Sequence, residues 1–461
     1  MQKDKLLIVF PDGVGIRNYL YSNALENSGQ DLVLLHHFDK ETLDYLKSFK
    51  EIHDDIVIPD YTESTSEKFL RELICLSRLN HNIKITNNPT LLFNWNRNHK
   101  GFLKQLFYKA VEFAASFYKD YNSILKLESR YAKAIRKNPF FGEIKSILSE
   151  VQPAQIFCSH QRGLTAATIF SAAKDLGIPT TTVIYSWDNL PKARLALRAD
   201  NYLVWSEHMK SEMALFYPEI PQNQVVITGT PQFEFYHDKE NITDKDSFFK
   251  AFSLDPDKKT ICFSGDDVIT SPDDPKYLED LAAAITNAGL QEEFQILFRR
   301  CPVDISGRYD AVIGRYKDLI REAAPLWFFH KHSSFSTIFP SFDDVKLLAS
   351  TACYADIVIN LGSTMAFDFA MYGKPCIFIN YDSENKANPH WSVDAIYKFQ
   401  HFRSMPDKKA VIWLNNKAEI IDKIRLGLAS GINPEMKAWQ QIVIGDDRNA
   451  SKNIKKQLNL S

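Results

Sequence analysis

Short apolar runs alternate with helix-length segments along most of the chain, and that rhythm predicts the architecture. Residues 6–10 (LLIVF) precede PDGVGIRN and a helical pattern reaching about residue 27, the strand, glycine-containing loop and helix that open a Rossmann-like domain. Further strands are predicted at 32–35, 56–58, 155–158 and 180–185, with a helix over 164–176 that ends at Gly177-Ile178-Pro179. The rhythm resumes after a polar stretch, 231–248. Strands are expected at 260–264, 293–298, 326–329, 357–361, 376–379 and 410–414, and helices at 277–288, 343–354, 365–372 and 417–428. Repeated strand–helix–strand units with no long antiparallel stretch predict an α/β fold with two doubly wound parallel sheets.

The rhythm stops between about 63 and 150, where a helical, aromatic and basic region intervenes. Between residues 97 and 137 ten Lys or Arg face three acids (112, 120 and 128). Phe102, Leu103, Leu106, Phe107, Ala110, Phe113, Ala114 and Phe117 recur there at helical spacing, among Lys100, Lys104 and Lys109. Such a stripe is expected to face a core, with the lysines solvated. The alternative is a peripheral contact with anionic lipid through about 97–137.

At 461 residues the chain suits two domains. Its 55 basic and 57 acidic residues nearly cancel, so the whole-protein charge gives no case for nucleic acid as a partner. The six cysteines are scattered without a CxxC pair, as in a reducing compartment. No run of about 18 apolar residues is present, and residues 1–13 resemble no signal peptide. A cytoplasmic protein is expected, with attachment to the inner face of the membrane as the variant.

The stretch 356–382, DIVINLGSTMAFDFAMYGKPCIFINYD, carries the strongest chemical signal. A strand leads through Gly362-Ser363-Thr364 into a helix, whose first turn should offer unpartnered N–H groups at its positive end. Gly362 would admit a ligand close to the backbone, and Ser363 and Thr364 could cap the helix or turn toward a phosphate. Asp368, within an otherwise apolar helix, needs a hydrogen-bonding partner, and a ribose hydroxyl would serve.

These residues, GST followed by Asp, Ala and GKP before an apolar strand, resemble the nucleotide-binding segment in the second domain of GT-B glycosyltransferases. STMAFDFAMYGKPCIFINYD is also similar to the corresponding part of CDP-glycerol glycerophosphotransferases. A second stretch, SWDN followed by a basic segment, VWSE and TGTPQFE, resembles the closing half of the first domain in bacterial surface-polysaccharide transferases of the GT-B type. The resemblance implies two Rossmann-like domains facing a cleft. The first, 1–236, would bind the acceptor and carry the helical insertion at 63–150; the second, 250–440, would bind the nucleotide donor. Residues 441–461 would form a helix crossing back to the first domain. It also implies a sugar transferred from a nucleotide-sugar donor to a glycan or lipid-linked acceptor, without metal or resident cofactor.

Such a reaction needs a base at the acceptor hydroxyl and groups that steady the departing diphosphate. Asp12, in the first loop, is the leading candidate for the base, with His160 at the end of another strand as its rival. Asp188 in SWDN would contact the acceptor or hold its loop. Arg300, Ser363, Thr364 and the turn at Gly265 are the candidates for the diphosphate. Two departures from the related patterns stand out. Arg299-Arg300-Cys301-Pro302 replaces the Arg-x-His-Pro of the glycerophosphotransferases, and the acidic pair of retaining GT-B enzymes appears as Asn360 and Asp368. An inverting transferase is therefore favoured, with a CDP-glycerol-type phosphotransferase or a nucleotide-sugar 2-epimerase as alternatives. The first loop lacks the Gly-Thr-Arg-Pro-Glu seen in those epimerases. His330 and His332 lack the neighbouring ligands of a metal site, and His401 lies in an aromatic segment where a packed histidine is expected.

Overall fold

The computed structural model describes residues 3–26, 29–97, 99–328 and 338–460. His330 and His332 lie outside the described residues. The chain divides into two compact units. One comprises Met1–Pro231, Phe399–His401 and Val443–Ser461, and the other Gln232–Lys398 and Phe402–Ile442.

The first unit is built on a seven-stranded parallel sheet of β1 (Lys5–Phe10), β2 (Asp31–His36), β3 (Asp54–Val57), β4 (Gln155–Cys158), β5 (Thr180–Val183), β6 (Asn201–Val204) and β7 (Val225–Ile227). The spatial order is β3-β2-β1-β4-β5-β6-β7. The central strands β1 and β4 are covered on both faces, which is why they read as apolar runs rather than alternating ones. Strand order reverses between β1 and β4. There Val9 pairs with Cys158, so the chain leaves both strands side by side.

The second unit has a six-stranded parallel sheet, in spatial order β10 (Ile320–Glu322), β9 (Phe294–Arg299), β8 (Lys259–Ser264), β13 (Ile357–Asn360), β14 (Cys376–Ile379) and β15 (Ile412–Leu414). The reversal falls between β8 and β13, with Phe263 opposite Ile359. The run expected as a sheet strand at 326–329 instead forms β11 (Trp327–Phe328), paired antiparallel with β12 (Phe339–Pro340) outside the main sheet. The edge of that sheet is β10, whose Ile-Arg-Glu has too little apolar character to announce a strand.

Between β3 and β4 the insertion forms four helices, Thr65–Thr86, Phe102–Ala115, Tyr121–Ile135 and Pro139–Val151. The first starts in a capping box: the Ser64 hydroxyl accepts from the Glu67 amide while the Glu67 carboxylate accepts from the Ser64 amide. Its buried Arg78 ties the insertion to the end of the helix Glu207–Phe216 and the loop after it. The guanidinium donates to Glu128 (2.8 Å), Glu219 (2.8 Å), the Tyr121 hydroxyl (2.9 Å) and the Phe216 carbonyl (3.1 Å), and Arg198 shares both carboxylates. The expectation of a core-facing aromatic stripe holds only for Phe107 and Ala114, which pack on the core. Val111 and Ala115 are the buried residues of the Phe102–Ala115 helix, while Phe102, Leu103, Leu106 and Phe113 stand in solvent. Helical periodicity marks an apolar face but does not say which of two such faces meets the core.

The first unit is completed from far along the chain. The helix Ala450–Gln457 closes on it, with Asn453 donating to the Thr228 carbonyl (3.2 Å) and Gln155 donating to the Leu458 carbonyl. Gly229 and Gly445 are needed there: a Cβ on Gly229 would lie 2.5 Å from the Asp446 carbonyl oxygen, and one on Gly445 2.9 Å from that of Trp205. No helix among the described residues is long and apolar enough to cross a membrane.

Replacing Arg78 by Met would leave the Phe216 carbonyl with only a long contact from the Tyr121 hydroxyl (3.4 Å), Glu128 with Arg198, and Glu219 with Arg198 and Tyr121. The first unit should lose about 3–5 kcal/mol in urea denaturation. A loss under about 1 kcal/mol would show that the insertion is anchored by packing instead.

Candidate functional site

At the reversal point of the first sheet the loops after β1 and β4 are drawn together by small residues. A Cβ on Gly163 would stand 2.3 Å from Pro11 Cγ, and Gly15, at φ 97°, lies against Ser159. The Ser159 amide donates to the Val9 carbonyl (3.1 Å), and its hydroxyl to the Val14 carbonyl (3.2 Å). This contact brings the two rival base candidates into one unit. Asp12 is buried; its Oδ1 accepts from the Val14 amide (3.0 Å) in an Asx turn, and its Oδ2 lies 2.7 Å from His160 Nδ1. With the carboxylate accepting from Nδ1–H, the imidazole presents its Nε2 lone pair away from Asp12. That is the arrangement in which a carboxylate orients a histidine for proton abstraction.

Asp188 sits in the next loop. Its carboxylate is ion-paired with Lys192 and accepts from the Asn189 side chain (2.8 Å). Burial opposes its charge, but the Lys192 ammonium and the neighbouring His401 outweigh burial and hold it well below the usual carboxylate range. Asn189 accepts from Gln161 (2.9 Å), and Gln161 accepts from the Tyr185 amide (3.2 Å). Of the two roles expected for Asp188, the hydrogen bonds favour holding the loop beside His160. His401 packs edge-on against Trp187, with ring centroids 4.7 Å apart, and burial pushes its imidazole down to about 4 despite Asp188.

Arg162, two residues after His160, was not singled out from the sequence. It edges a cavity of about 520 Å³ whose lining includes Arg71, Glu72, Phe170, Arg194 and Arg198. Arg194 is clamped to both oxygens of Glu72 (3.1 Å each), Arg71 to Glu63 and Glu72, and Arg198 to Glu128 and Glu219. Arg162 has no carboxylate partner among the described residues and is exposed. The signal was present in SHQRG, where a cation follows a strand end directly.

Glu212 was missed as well, because nothing in its helix, Glu207–Phe216, sets it apart from a solvated glutamate. It is buried, neither oxygen has a hydrogen-bond partner among the described residues, and His208 Nε2 stays 3.8 Å away. Burial, with Asp188 nearby, pushes the Glu212 carboxyl up to about 8.

In the second unit, Gly265 follows β8 and Gly362 closely follows β13, the two strands that meet at the reversal of the sheet. Both glycines answer to the protein itself. A Cβ on Gly265 would meet the Tyr309 hydroxyl at 2.8 Å, and Gly362, at φ 70°, leaves room for Phe402 at 2.9 Å. The helix after Gly362 is short, Met365–Ala370, and its opening amides are mostly taken. Ser363 N–H donates to Asn360 (2.8 Å), Met365 N–H to the Ser363 hydroxyl (3.3 Å) and Ala366 N–H to the Ser363 carbonyl (3.2 Å). The amide and hydroxyl of Thr364 stay unengaged among the described residues, and Thr364 is exposed.

Two expected donor contacts are engaged elsewhere. Arg300 donates to Glu322 (2.8 Å) and Asp310 (3.1 Å), so its charge is already matched by two carboxylates where a diphosphate was expected. Asp368 is buried and accepts from the Tyr236 hydroxyl (2.7 Å), the partner sought for it in a ribose. The same bond explains why the second unit starts at 232 rather than beyond the expected 236. The loop after β8 is braced by Arg308, which donates to the carbonyls of Asp266 and Ser271 and to the Asp304 carboxylate (2.5–2.6 Å). Burial first, then neighbouring carboxylates, raise Asp266 well above the carboxylate range, so it keeps its proton beside Asp274.

No family model matches the chain, and no curated protein sequence matches it. Solved structures do. The UDP-GlcNAc 2-epimerase of Methanocaldococcus jannaschii superposes with a TM-score of 0.52 at 12% identity, covering 99% of each chain. A glycosyltransferase from Rickettsia africae gives 0.51 at 12% identity, over 100% of this chain and 98% of that one. HepE of Anabaena in complex with UDP gives 0.50 at 10% identity over the whole of both chains. The fold is of the GT-B kind. At such identities the likeness is one of fold, and the expected CDP-glycerol relationship has no counterpart among these structures.

Glu212 gives a test of the site's electrostatics. Its folded pKa lies above its unfolded one, so its stabilising contribution is complete below about pH 4.5 and is lost as pH rises toward 8. Wild-type protein should lose about 2–4 kcal/mol between pH 5 and 8 from this group. Glu212→Gln should flatten that slope in thermal unfolding. An unchanged slope would mean that the carboxylate is charged and solvated.

Proposed function

We propose that the protein is a nucleotide-sugar glycosyltransferase that acts with inversion on a glycan or lipid-linked acceptor. The observation that carries this reading is the 2.7 Å contact between Asp12 and His160 at the reversal point of the first sheet, where open α/β sheets place their ligands. His160 Nε2 takes the proton of an acceptor hydroxyl, and Asp12 steadies the imidazolium that results. The acceptor oxygen bonds to the anomeric carbon as the bond from that carbon to the diphosphate oxygen breaks. The diphosphate leaves with the electron pair. UDP is the nucleotide of first choice, since HepE was crystallised with it. The proposed chemistry needs no metal.

A second reading, a nucleotide-sugar 2-epimerase, is favoured by the likeness to the M. jannaschii enzyme. The two separate cleanly. A transferase releases UDP in proportion to acceptor, whereas an epimerase converts UDP-GlcNAc to its 2-epimer with no acceptor present.

UDP should raise the melting temperature of the wild-type protein, and a panel of UDP-sugars with acceptors should show UDP release that persists in EDTA. His160→Ala should lower turnover by about 10²–10⁴-fold, the usual share of a general base, with UDP binding intact. Asp12→Asn should lower it less. Because Arg300 is already paired, Arg300→Ala should change UDP affinity less than about threefold, under the ~1 kcal/mol typical of one hydrogen bond. Full turnover in His160→Ala, or no shift with any nucleotide, would remove the transferase reading.

A further inference from the structure

The helix Phe102–Ala115 is apolar on two sides, and the fold uses one of them. Successive residues turn by about 100° around a helix. Val111 and Ala115 lie on the inner side, with Phe107, Tyr108 and Ala114 packed on the core that includes Leu76, Leu79 and Trp95. Trp95 Nε1 also donates to Glu112 (3.0 Å), which fixes the roll of the helix. On the same wheel Phe102, Phe113, Leu106, Ala110 and Leu103 fall in sequence across an arc of about 100° on the outer side, and Phe117 follows just past the helix end. The five large residues are 76%, 70%, 55%, 67% and 79% exposed for Phe102, Phe113, Leu106, Phe117 and Leu103. Scattered surface apolar residues are ordinary, but four bulky ones aligned along one helix, with a fifth just beyond it, are not.

Exposures this high describe a ridge, whose side chains stand clear of their neighbours, rather than a groove. A ridge of Phe and Leu fits a deformable apolar medium better than it fits a rigid partner. Charge narrows the choice further. Lys109 borders the arc, Lys100 and Lys119 lie just before and after it, and all three are exposed. Across 97–137 the basic residues outnumber the acidic ones by ten to three. Two copies meeting through this face would set like charges against each other, while an anionic surface would match them.

We propose that this helix lies in the interface of an anionic membrane, with Phe102, Leu106, Phe113 and Phe117 inserted among the acyl chains and the lysines at the headgroups. The inference is independent of the reaction proposed above. If nucleotide binding fails, the lipid result still stands, and the reverse also holds.

Sedimentation of the full-length protein with phosphatidylcholine vesicles, with and without phosphatidylglycerol, tests it. Binding is expected to the phosphatidylglycerol vesicles and should weaken as salt is raised. Phe102→Ser with Phe113→Ser, both in solvent and so leaving no core cavity, should reduce partitioning tenfold or more at an unchanged melting temperature. Lys100→Glu with Lys109→Glu should weaken binding to the anionic vesicles roughly fivefold or more per lysine and remove the preference for them. The proposal is overturned if the wild-type protein stays in the supernatant or if the serine variant sediments like wild type. It is also overturned if light scattering shows a dimer that the serine variant abolishes, which would make the ridge a contact between copies.

Discussion

Everything assigned to the first unit depends on how closely two strand-end loops approach at the reversal of a parallel sheet. Register brings the ends of β1 and β4 side by side, but register alone leaves their loops a side chain apart. The absence of a Cβ at Gly15 and Gly163 removes that spacing, and Ser159 then bonds across the gap to the Val9 and Val14 carbonyls. Asp12 and His160 are neighbours as a result. One Asp12 carboxylate oxygen makes an Asx turn and the other meets the His160 ring. Local structure and chemistry are here two uses of the same side chain.

The second unit handles the equivalent position differently. Its loops at the β8–β13 reversal are braced from within, by Tyr309, Arg308 and Asn360, and most polar groups near Gly362 are satisfied by the chain. A nucleotide arriving there would meet a formed surface with few free donors, of which Thr364 is the clearest. Affinity at such a place rests on contacts to the base and sugar at least as much as on the phosphates.

How much of this was legible in the sequence follows from the range of each interaction. The strands could be read because burial on both faces leaves an apolar run that needs no partner to be recognised. GST followed by GKP marked the right turn and the right reversal point for the same local reason. The partners of charges could not be read. Asp12 and His160 are separated by 148 residues, Tyr236 and Asp368 by 132, and Arg300 is neutralised by acids 10 and 22 residues away on other elements. An arginine after a strand looks the same in sequence whether it awaits a phosphate or already holds two carboxylates. Glu212 shows the converse, since only the packing around it turns an ordinary helical glutamate into a group that keeps its proton.

The closure of the first unit by the helix Ala450–Gln457 bears on how the protein is made. Its sheet contains nothing later than Ile227, yet the flank around Gln155, Thr228 and Gly229 is closed by residues translated after the whole of the second unit. On the ribosome the usual order, in which the N-terminal domain finishes first, is therefore interrupted. The first unit emerges early with an uncovered flank and reaches its final form after the second, a delay in which chaperones have a defined surface to protect.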